Sequence, residues 1–89
     1  SKEENKEEAG PTEVKGFSYH ENKLFETLLR AFKGSGKVFY GEFNVEEIKE
    51  GSYSTFRTYI PESKDAGRKY DFPTVEEAIA FLVEKHRDR

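Results

Sequence analysis

The sequence predicts a small two-layer α+β domain: a helix, two or three antiparallel strands and a second helix, with both helices on one face of the sheet. Three observations carry this. Two segments place apolar residues at helical period behind good N-caps. Between them lie aromatic and β-branched runs that alternate at period two. Each helical segment has one apolar face, so each needs a surface to cover.

The last segment, Phe72 to His86, carries the clearest pattern. Thr74 is a good N-cap, and Glu77 three residues on completes a capping box. Glu76 and Glu77 sit at the positive end of the helix dipole; Lys85 and Arg87 sit at the negative end. Val75, Ala78, Ile79, Leu82 and Val83 share one face, with Glu76, Glu84 and Arg87 on the other. The first helix starts at Ser18, which pairs with Glu21 as N-cap and N3. Leu24, Phe25, Leu28, Leu29 and Phe32 form its apolar stripe, and Glu26 and Arg30 form an i, i+4 pair. It should stop at Lys33, because Gly34-Ser35-Gly36 supplies a left-handed cap and a turn.

Residues 37–45 read as one strand, with Phe39, Phe43 and Val45 on one side and Val38, Tyr40 and Glu42 on the other. Gly41 within it implies a bulge or a close backbone approach. Residues 53–60 read as a second strand that Pro61 ends. Phe56 and Ile60 share one face; Tyr53, Thr55, Arg57 and Tyr59 share the other. Residues 46–52 either extend the first strand into a hairpin turning at Glu50-Gly51-Ser52 or form a helical turn capped by Asn44, with the hairpin favoured. Residues 61–67 read as a polar loop and 68–72 as a short third strand. Phe39, Phe43, Phe56 and Ile60 are the expected sheet side of the core. Leu24, Phe25, Leu28, Phe32, Ile79 and Leu82 are its expected helix side.

The 89 residues make one domain at most. Residues 1–15 hold five acidic and three basic groups but only Ala9 and Val14 as apolar aliphatics. Such a segment cannot bury enough surface to offset its ordering entropy, so it is expected to be a disordered acidic tail or linker ahead of a domain spanning 16–89. The net charge is −3, of which residues 16–89 contribute −1. That near-neutral balance argues against a dedicated phosphate-backbone binder. There is no cysteine, which excludes disulfides and thiolate chemistry. With no signal-like or membrane-spanning run, an intracellular location without membrane association is the expectation.

The sequence carries no enzyme signature, and no cofactor is expected. His20 and His86 stand at opposite ends of the domain, each at a helix terminus, where helix electrostatics explains them better than metal binding. Gly34-Ser35-Gly36-Lys37 has the flavour of a phosphate loop. Its order is helix, glycines, strand, whereas a phosphate loop runs from strand to helix. It reads as a helix C-cap. The helix–strands–helix order resembles the double-stranded-RNA-binding domain, which has three strands. That family's basic run at the start of the last helix is replaced here by Glu76 and Glu77, which repel phosphate. The ending Phe-Pro-Thr-Val-Glu-Glu-Ala before a helix is loosely similar to the arm-binding modules of phage-type integrases. Neither resemblance assigns a family.

The sheet carries the candidate site. If Phe56 and Ile60 face the helices, then Tyr53, Thr55, Arg57 and Tyr59 face away, with Val38 and Tyr40 from the neighbouring strand and Lys64, Arg68 and Lys69 nearby in the following loop. Tyr and Arg are favoured anchors at protein interfaces. The expected function is a non-enzymatic protein-interaction module, with another protein as partner. The alternative is nucleic-acid binding on the same face, with rings stacking on bases.

Overall fold

The computed structural model describes residues 14–62 and 65–88. Residues 1–13, where most of the disordered tail is expected, lie outside the described residues. The elements are α1 (Tyr19–Ser35), β1 (Lys37–Tyr40), β2 (Phe43–Glu50), β3 (Tyr53–Glu62), β4 (Asp65–Phe72) and α2 (Val75–Arg87). The strands form one antiparallel sheet in the order β1-β2-β3-β4. Every strand therefore pairs with its neighbour in sequence. The α+β class is as the sequence predicts, with four strands in place of two or three, which also departs from the three-strand order of the RNA-binding family.

The helix starts follow the sequence closely. The Ser18 hydroxyl accepts from the Glu21 N–H at 3.2 Å, and the Glu21 carboxylate accepts from the Ser18 N–H at 2.8 Å. Glu26 and Arg30 pair at 2.9 Å. α1 runs two residues past Lys33, through Gly34 to Ser35. Gly36, not Gly34, is the left-handed cap, with φ 84° and its N–H on the Phe32 carbonyl. In α2 the Thr74 hydroxyl accepts from the Glu77 N–H at 3.2 Å. The Glu77 carboxylate does not reach back to the Thr74 backbone; it accepts from the Thr74 hydroxyl instead.

The expected single strand over 37–45 is two strands. Gly41, at φ 63°, and Glu42 form a two-residue turn, so Tyr40 pairs with Phe43 and Val38 with Val45. Glycine at the first turn position supplies the positive φ that a tight hairpin requires. Gly51-Ser52 makes the second hairpin the same way, with Glu50 opposite Tyr53, and the hairpin reading of 46–52 holds. The first turn reverses the facing of β1. Val38 is buried and Phe39 is 64% exposed, so Phe39 leaves the core expected for it. Pro61 does not end β3. It lies at a register shift between Ile60 and Glu62, where a missing N–H is tolerated, and β4 begins at Asp65 within the expected loop.

The core lies between the helices and one sheet face. Phe25, Leu28, Leu29 and Phe32 from α1 meet Ala78, Ile79, Leu82 and Val83 from α2 over Val38, Phe43, Val45 and Ile60. Ring pairs seal its margins: Phe32 with Phe56, and Phe81 with Tyr70 and Phe72. Thr58 is fully buried in the middle of the sheet, and its hydroxyl donates to the Ala78 carbonyl at 2.9 Å. The chain before α1 is held as well. Buried Asn22 accepts from the Val14 N–H at 2.6 Å and donates to the carbonyls of Phe17 and Ser18. Val14, assigned by sequence to the tail, packs against the core. Arg87 bridges to Glu21 at 2.8 Å and lies over the Phe17 ring.

The reversed facing of β1 has a measurable outcome. Phe39→Ser should leave stability within about 0.5 kcal/mol of the parent. Ile79→Ala should lower it by about 2–5 kcal/mol, because that side chain is fully enclosed. Urea unfolding of the two variants checks both.

Candidate functional site

Because strand side chains alternate and the helices cover one face, the register assigns every other residue to the opposite face. Among the described residues, no element packs on that face. It is read most simply as rows running across the strands. One row is Lys37, Glu46, Arg57 and Asp71. The next is Phe39, Asn44, Tyr59 and Lys69. Toward the second hairpin, Ile48 pairs with Thr55 and Glu50 with Tyr53.

The charged row is fastened at Arg57. Its Nε donates to Asp71 Oδ1 at 2.7 Å and its Nη2 to Asp71 Oδ2 at 3.0 Å, a two-point fork. Those hydrogen bonds hold the Asp71 carboxyl below the usual aspartate range, against a smaller opposing effect of partial burial. Asp71 in turn raises the Arg57 guanidinium, with further attraction from Glu46 and Glu50. Arg57 is thus committed within the sheet, and its charge is matched there.

The neighbouring row is the aromatic one. The Tyr59 ring lies over Gly67, which has φ 98°; a Cβ at that position would overlap the ring. The glycine therefore both takes the left-handed backbone and makes room for the phenol. Phe39, Asn44, Glu46, Arg57, Tyr59 and Lys69 line a shallow hollow of about 200 Å³. Tyr53, like Phe39, is 64% exposed. Thr55 is less usual: its hydroxyl oxygen is buried and makes no hydrogen bond among the described residues.

Of the residues expected at the site, Tyr53, Thr55, Arg57, Tyr59 and Lys69 do share this face. Val38 and Tyr40 do not. Val38 is buried in the core, and Tyr40, paired with Phe43, lies on the helix side, its ring edge-on to His86 at 4.8 Å. Arg68 also leaves, since it alternates with Lys69 and pairs with Glu62 at 3.3 Å. Lys64 lies outside the described residues. Sequence reasoning missed Phe39, Glu46 and Asp71. The signal for Phe39 was present: apolar parity shifts from even positions (Val38, Tyr40) to odd ones (Phe43, Val45) across Gly41-Glu42.

Elsewhere, His86 packs against Tyr40 and Phe43, and exposed His20 meets the Tyr19 ring. Among the described residues, no group of three or more His, Cys, Asp or Glu is placed to hold a metal ion. None of the described helices is long and apolar enough to cross a membrane.

Two outcomes follow from this geometry. Asp71 has its folded pKa depressed, so its contribution to stability is full above the usual aspartate range and is lost as pH falls through the depressed value. Carboxyl ¹³C NMR should find its midpoint below the usual range, and Arg57→Ala should return it upward. Thr55→Val removes a buried hydroxyl that lacks a partner. It should leave stability equal or higher, by up to about 1 kcal/mol in urea unfolding.

No protein-family model, no curated protein and no solved structure matches this chain.

Proposed function

We propose that this chain is a small non-enzymatic interaction module that binds another protein through the open face of its sheet. The supporting observation is the coexistence of exposed Phe39 and Tyr53 with an Arg57–Asp71 ion pair that is already matched within the sheet. Exposed rings provide apolar area and orientation at an interface, and the paired charges provide specificity with a small electrostatic field.

The same balance weighs against nucleic acid. Lys37, Arg57 and Lys69 share the face with Glu46, Glu50 and Asp71. A phosphate approaching Arg57 has to compete with the Asp71 fork, and Glu46 and Glu50 repel it.

The test compares retention of protein partners from cell extract by the immobilised parent and its variants. Phe39→Ser with Tyr53→Ser should lose the partner, while Lys23→Ser on the outer side of α1 should keep it. Titration with mixed single- and double-stranded oligonucleotides at low salt should leave the amide spectrum unchanged. Unaltered retention by the double variant, or salt-sensitive shifts centred on Arg57 and Lys69, would overturn the reading.

A further inference from the structure

We infer that the occupant of the open sheet face is a second copy of this chain, stacked face to face across a twofold axis that runs along the strands between β2 and β3. The inference rests on the reading of that face as a protein-binding surface and names what it binds.

Symmetry singles out this occupant. Such an axis lays each cross-strand row over the same row of the second copy, in reversed order. β1 then lies over β4 of the copy, and β2 over its β3. The row Lys37, Glu46, Arg57, Asp71 alternates in sign across four strands. A row of four alternating charges is complementary to its own reverse. Lys37 meets Asp71 of the second copy, and Glu46 meets its Arg57. Because the arrangement is isologous, each contact occurs twice.

The other rows agree. In the second row Phe39 meets Lys69 of the copy, a cation beside an exposed ring, and Asn44 meets Tyr59. Ile48 meets Thr55, and Glu50 meets Tyr53. No row brings like charges together. Aligned sheets pack about 10 Å apart, a gap that long charged and aromatic side chains fill from both sides.

The area sets the expected strength. Four strands of four to ten residues, at a spacing of about 4.8 Å and a rise of about 3.3 Å per residue, give a face of about 480 Å². Two copies then bury about 1,000 Å², at the threshold for a specific interface. The dimer should accordingly form reversibly in the micromolar to millimolar range.

The experiment is sedimentation equilibrium of the full chain up to about 1 mM, with amide shifts followed over the same concentrations. The decisive variant exchanges a pair: Arg57→Asp together with Asp71→Arg. It keeps opposite charges at the two in-sheet positions, and circular dichroism checks that the fold is retained. It also makes the row symmetric in sign, so that like meets like at all four positions. Phe39→Lys is the second variant, since it places a cation against Lys69 of the copy at an exposed position. The parent should show a monomer–dimer equilibrium, with shift changes on the open face of β1 to β4. Either variant should weaken association by about tenfold or more. A parent that stays monomeric throughout overturns self-association. So does a dimer that survives both variants with changes confined to β1 or to β4, the two edge strands, which would be edge pairing. The wider protein-binding reading is separate: it stands or falls on the extract and oligonucleotide tests given for it, whatever the oligomeric state.

Discussion

The structure turns on how α2 seats across the middle of the sheet. Thr58 marks the point. It is the centre of the row Val38, Val45, Thr58 and Tyr70, and its hydroxyl is spent on the Ala78 carbonyl. A threonine there presents a methyl group to the core and a donor to the helix backbone. A buried hydroxyl without that partner would destabilise the fold, so the bond fixes both the position of the helix and the facing of β3. Once β3 faces that way, the register sets the facing of every other strand. One sheet surface is sealed by two helices, and the other is left with its rings and charges outward.

That division explains how much of the molecule was legible in the sequence. Both helices were readable, since caps and periodicity are local. The facing of Tyr53, Arg57 and Tyr59 was readable for the same reason: one uninterrupted strand keeps one parity. The first hairpin is not legible locally, because a glycine at position 41 fits an irregularity inside a strand as well as the start of a turn. That single reading misplaced Phe39 and Tyr40 together. Arg68 failed for a related cause. Adjacent residues in a loop can share a surface, but in a strand they cannot.

The Arg57–Asp71 fork lay beyond sequence reasoning of any local kind. The two residues are fourteen apart and meet only through the β3–β4 register, which the shift near Pro61 adjusts. The consequence for function is large. An unpaired arginine between two tyrosines invites phosphate. The same arginine held by a carboxylate, with two further acids nearby, makes a nearly neutral and patterned surface. The change in reading comes from one ion pair, which its exposure makes weak for stability but which is decisive for what the face can attract.

The clasp between the ends of the described chain has a consequence of another kind. Val14 to Phe17 and one side of α2, from Glu77 to Arg87, line the same groove, and Arg87 pairs with Glu21 at the start of α1. Entry and exit therefore lie at one seam, on the side away from the open sheet face. Such a domain is close to cyclic. A short linker across the seam, with the chain opened at Gly51-Ser52, would reorder the elements without moving them. The same geometry lets the whole unit sit within a loop of a larger host, with both connections leaving from one point and the sheet face turned outward.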